Sequence, residues 1–85
     1  MPTLYKHNGE KVTIDRKRPF SVGELQELVG GYFELIPLGS HYLVVNEEGR
    51  LYGLPFNENA SRLAAQFGFP EIVGDAVFTE KRWIR

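Results

Sequence analysis

Chain breakers fall at short intervals along this sequence and limit the length of every element it can form. Asn8-Gly9, Pro19, Gly30-Gly31, Gly39-Ser40, Asn46 to Gly49, Gly68 to Pro70 and Gly74 interrupt the apolar pattern in turn. Glycine opens left-handed backbone, and proline removes a backbone donor. Only short strands and short helices fit between them.

The pieces read as follows. Thr3–Lys6 is a short strand, and Asn8-Gly9 is a two-residue hairpin signal. Val12 and Ile14 face one side of the returning strand. The polar "DRKRP" leads to a helix with Ser21 at the N-cap and Glu24 three residues later, the spacing of a capping box. Phe20 stands before the cap, where it can pack on Leu25. Val22, Leu25, Leu28 and Val29 form one apolar face, and Gly30-Gly31 ends the helix.

"YFELIPL" then forms a strand, with Phe33 and Leu35 on one face and Tyr32, Glu34 and Ile36 on the other. "GSH" turns, "YLVVN" is a strand, "NEEG" turns with glycine last, and "RLYGL" returns as a further strand. Asn57 is the N-cap of a second helix, with Asn59 as competitor. Ala60, Leu63, Ala64 and Phe67 make its apolar stripe; Gly68 ends it and Pro70 prevents its resuming. "EIVGDAVFTE" is the last strand, with Gly74 as a site for a bulge. "KRWIR" either extends that strand or forms a tail. The order predicts an α+β fold: a mainly antiparallel sheet of about five to six strands with two short helices on one face.

At 85 residues the chain is a single domain, 1–85. A domain of this size buries only roughly 60–65% of its unfolded surface, so its stability is marginal. Ten basic against eleven acidic residues give a net charge of -1, which supplies no field for a nucleic acid polymer. The chain has no cysteine, which removes thiolate chemistry and disulfides and points to the cytoplasm. The amino terminus lacks a charged-then-apolar signal pattern, and no apolar run is long enough to span a membrane.

Few residues suggest chemistry. His7 and His41 sit in separate turns without metal-ligand spacing, and no metal site is expected. Ser21 is used as a cap, and Ser40 has no nucleophile motif around it. Gly30-Gly31 and Gly68 close helices rather than open them, so no phosphate loop is present. Glu47 and Glu48 at a hairpin tip are either solvated or a rim contact to a partner. Arg16, Lys17 and Arg18 precede a helix amino terminus and form a secondary candidate anion site, or a solvated face. Asn46, Arg50, Tyr52, Asn57, Asn59 and Arg62 would form a ligand site if the second helix folds back beside the hairpin. Arginine forks, amides and an aromatic face suit a phosphate-and-base ligand. Turning, capping and strand packing explain the asparagines and the tyrosine equally well.

Several of these stretches resemble the phage and mobile-element proteins grouped as domain of unknown function 3846. The matching residues are Leu25, Gln26, Val29, Gly30, Gly31 and Glu34, then Asn46 to Gly49, then Leu54, Pro55, Asn57 and Ala60, then Val73 to Asp75. The resemblance covers 20–78 and leaves the amino-terminal hairpin and loop (1–19) and the tail (79–85) outside. It implies expression in the cytoplasm of a bacterial host. It supplies no catalytic residues and no cofactor.

Three functions follow as expectations. The first is a non-enzymatic anti-defence protein that sequesters a nucleotide-like small molecule as a homo-oligomer, with walls from two subunits. The surplus of aromatics, including Trp83, suits such an interface. The second is an inhibitor that binds one host protein through an edge strand or helix face. The third, an enzyme, has least support from the motifs.

Overall fold

A computed structural model describes residues 1–84. In chain order the elements are β1 (Thr3–Tyr5), β2 (Lys11–Thr13), α1 (Val22–Val29), β3 (Phe33–Leu38), β4 (His41–Asn46), α2 (Glu58–Ala65) and β5 (Ala76–Glu80). A 3-10 turn, Lys81–Trp83, follows β5; Arg85, part of the expected tail, lies outside the described residues. The strands form one five-stranded sheet in the order β2-β1-β5-β4-β3. All four pairings are antiparallel, so the α+β class holds.

The helices do not share a face. Leu43 and Val45 of β4 and Ala76 of β5 pack with Ala60 and Ala64 of α2. Val44 and Val77, one residue out of phase, pack with Leu25 and Val29 of α1. Side chains alternate across a strand, so consecutive buried residues mean that both faces are covered. Leu43, Val44 and Val77 are fully buried, and each stabilises the fold by about 1.5–3 kcal/mol relative to exposure.

"RLYGL" is not a strand. β4 already pairs with β3 on one side and β5 on the other, which leaves no place beside it. Residues 47–53 instead coil through successive turns, with Tyr52 N–H on the Glu48 carbonyl (3.0 Å) and Leu54 N–H on the Gly49 carbonyl (2.9 Å). The chain returns to the sheet only through an isolated bridge between Phe56 and Val73.

The local signals are largely realised. Ser21 and Glu24 form the capping box, and Gly30 ends α1 in the left-handed region at φ 83°. Phe20 and Leu25 share the α1-side core. Asn57, not Asn59, caps α2. Several details differ: α2 ends at Ala65, short of Phe67, which is exposed, and the last strand begins only at Ala76, beyond the bend at Gly74. Val22 is 63% exposed because it lies on the outer side of the first turn of α1. The first hairpin has a three-residue loop rather than two: Gly9 N–H meets the Lys6 carbonyl at 3.0 Å, and Lys6 N–H meets the Glu10 carbonyl at 2.8 Å. Gly9 alone takes a positive φ, 98°, and Asn8 does not. His41 opens β4 rather than sitting in a turn, and its ring stacks on Phe78 at 4.6 Å.

Candidate functional site

The segment from Asn46 to Asn57 is held at both ends by buried asparagines. Asn46 closes β4. Its Nδ2 donates to the Val29 carbonyl at 3.0 Å, and its Oδ1 accepts from the Glu48 N–H at 2.8 Å. Val29 is in the last turn of α1, where carbonyls lack helical partners. The amide therefore ties the end of α1 to the start of the turn. Asn57 is wholly buried. Its Oδ1 accepts from Ala60 N–H at 3.1 Å, and its Nδ2 donates to the carbonyls of Tyr5 and Gly74, each at 2.8 Å. Both amides are consumed by backbone.

The other expected site residues spread out. Arg50 is exposed and donates to the Glu71 carbonyl at 2.5 Å. Tyr52 is 67% exposed and lines a cleft with Tyr32 over Gly30 and Gly31. Asn59 donates to the Gly9 carbonyl at 3.3 Å, next to the first hairpin. Arg62 pairs with Glu58 one turn earlier on α2 and borders a third cleft. Of the six, only Asn46 and Arg50 line the same cavity.

That cavity is a groove of about 470 Å³ on the α2 side of the sheet. Its apolar floor includes Ile36, Val45, Ile72 and Val73. Its rim comes from three separate places: Glu34 on β3, Glu47, Glu48 and Arg50 in the turn, and Glu71 before β5. Four acidic residues and one arginine thus line the groove, and the Glu48 carboxylate also accepts from the Tyr52 hydroxyl at 3.4 Å, at the neighbouring cleft. Of these acids Glu47 and Glu48 stand out in the sequence as a tip pair and Glu34 ends one of the family-like stretches; Glu71 belongs to no local motif.

One member of the basic run, Arg16, is already engaged. Arg16 makes two hydrogen bonds to the Glu24 carboxylate, at 2.6 and 3.0 Å, and one to the Pro19 carbonyl at 2.8 Å. Its guanidinium also lies over the Phe20 ring at 4.2 Å. These bonds, with the Ser21 N–H, hold the Glu24 carboxyl down at about 2 and raise Arg16. Lys17 and Arg18 are exposed beside this pair. Trp83 is half-buried against the α1-side core, and its carbonyl accepts from Phe20 N–H at 2.8 Å. Its ring packs against that core.

One contact had no signal beyond adjacency in the chain: Ser40 Oγ lies 3.0 Å from His41 Nδ1. The nearest acid in the ladder is Glu80, opposite His41. That carboxylate is engaged by the Met1 amino group at 3.3 Å and Arg82 at 3.5 Å. Its pKa is lowered by its own backbone N–H first, then by the Met1 amino group. A nucleophile needs a base that is itself oriented by a third group, and here the acid is turned elsewhere. Among the described residues no group of three or more acid, histidine or cysteine side chains is placed to hold a metal. No helix there is long and apolar enough to cross a membrane.

The family described as domain of unknown function (DUF3846) matches residues 3–82. The match takes in the amino-terminal hairpin and the start of the tail, so it is wider than the motifs alone indicate. No curated protein and no solved structure matches the chain.

Proposed function

The chain belongs to the family described as domain of unknown function 3846, and on that premise we propose a non-enzymatic binding protein that holds a segment of a partner protein in its acidic groove. The observation that carries this is the rim. Glu34, Glu47, Glu48 and Glu71 line the groove together with Ile36, Val45, Ile72 and Val73, with Arg50 as the one cation among its lining residues. Its guanidinium is already turned to the Glu71 carbonyl. Such a rim repels phosphate and attracts cations, while the floor takes apolar side chains. Lysine or arginine beside an aliphatic residue provides both.

Sequestration of a nucleotide-derived signal would need the opposite balance of charge, and the asparagines it would use are spent on backbone. In the phage or mobile-element setting suggested by the resemblance, this activity takes the form of an inhibitor that occupies one host protein. A thermal-shift screen run beside a sizing column tests the proposal. A basic, apolar peptide at a hundred times its dissociation constant should stabilise the protein by about 2.7 kcal/mol. Cyclic dinucleotides and ADP-ribose should give no shift. A shift with the nucleotides alone contradicts the proposal.

A further inference from the structure

The sheet ends at β3, and the ladder determines which of its backbone groups are free. Glu47 N–H donates to the Tyr32 carbonyl at 2.8 Å, one step before the Phe33–Asn46 pair in the β3–β4 register. Antiparallel pairing alternates, so Glu34, Ile36 and Leu38 turn their backbone groups toward β4. Phe33, Leu35 and Pro37 turn theirs outward. Pro37 has no N–H to offer at its outward position, which is where a strand tolerates proline. The open donors of this edge are therefore Phe33 and Leu35.

The two edges of the sheet differ. β2 is three residues long and carries Lys11, the usual protection of an edge. β3 is six residues long and carries neither lysine nor arginine. A second copy of the chain fits β3 poorly. Of the two antiparallel registers that use both donors, the one with Leu35 opposite Leu35 of the partner subunit leaves the Phe33 carbonyl facing a proline with no N–H; the other sets Phe33 against Leu35 and so places Glu34 opposite Glu34 of the partner subunit. Like charges directly opposite each other destabilise a ladder. A strand with a cation at that position meets a carboxylate instead.

We propose that the Phe33–Leu35 edge of β3 takes an extended segment of a partner protein as a sixth strand, with lysine or arginine opposite Glu34 and apolar residues on either side. This rests on the groove reading, because Glu34 belongs to both the edge and the groove rim. The cation extends from the added strand toward Glu34, on the groove side of the sheet. The flanking residues fall on the other face, beside Phe33 and Leu35, which pack against the α1-side core. Backbone bonds supply the docking, and the alternation of side chains supplies the specificity.

The test is a titration of the whole chain, followed by NMR, with the blocked peptide Ser-Thr-Thr-Val-Lys-Val-Thr-Thr-Ser. A second peptide carries N-methyl groups on both valines, and a third has glutamate in place of lysine. The lysine peptide should bind and slow exchange of the Phe33 and Leu35 amide protons. N-methylation should weaken binding at least about tenfold, because it removes the donors to the β3 carbonyls. Glu34→Lys should reverse the preference from the lysine to the glutamate peptide. Equal binding of the N-methylated peptide overturns strand addition and leaves the groove reading standing. Absence of binding by both lysine-bearing peptides overturns the two together.

Discussion

The side-chain amide of Asn57 holds the backbone carbonyl of Tyr5 at 2.8 Å, across 52 residues of chain. The same nitrogen reaches the Gly74 carbonyl, while the amide oxygen caps α2. One side chain thus joins β1, the start of α2 and the approach to β5. Asn57→Ala should cost about 2–4 kcal/mol in urea unfolding, the sum of a lost cap and buried carbonyls left unpaired. Asn57→Asp keeps the capping oxygen but not the donors, and should fail to restore stability. Full stability of the aspartate variant would show that Asn57 only caps.

Asn46 performs a smaller version of this task at the other end of the segment. Asn46→Ala should destabilise by about 1–3 kcal/mol, because the Val29 carbonyl is left without its partner. It should also release the turn that follows. Hydrogen exchange at the Glu48 amide, which now donates to Asn46, should accelerate more than exchange at Val44 in the ladder.

The Arg16–Glu24 pair gives a pH signature. Glu24 titrates at about 2 in the folded chain, against 4.5 ordinarily, chiefly because Arg16 donates to its carboxylate. A carboxyl depressed by folding stabilises the native state above its unfolded pKa and loses that contribution as pH falls. The melting temperature of the native protein should therefore exceed that of Glu24→Gln at neutral pH. The gap should narrow from about pH 4.5 and close near pH 2. A gap independent of pH would assign the effect to shape rather than charge.

Pro37 interrupts the outward donor row of β3, so removing it should expose the edge. Pro37→Thr adds one outward N–H, worth about 1 kcal/mol in each strand pairing it completes. Sedimentation at rising concentration should show more self-association than in the native chain, by roughly fivefold in the association constant. No change would mean that position 37 does not face outward.

Local chemistry was legible in the sequence, and tertiary competition was not. The capping box at Ser21 and Glu24, the Asn57 cap and the Gly30 stop rely on neighbours within one turn, and they form as their residues imply. "RLYGL" has strand-like residues, but β4 is paired on both sides, a fact that no local window contains. The run Leu43-Val44-Val45 did carry the sign that both faces of β4 are covered, since an alternating strand with one wet face would break it. For the site, asparagines and arginines near one another in sequence suggested a pocket, yet the buried amides brace backbone. The groove acids come from β3, a turn and the approach to β5, and only folding brings them together.

The claim that the groove selects cations over phosphates is tested most directly by calorimetric titration of the same sample with the lysine-bearing peptide and with ADP-ribose, at low and high salt. The peptide should give saturable binding that weakens as salt screens the carboxylates, and ADP-ribose should give none. Saturable binding of ADP-ribose, lost in Arg50→Ala and not matched by the peptide, would contradict the account.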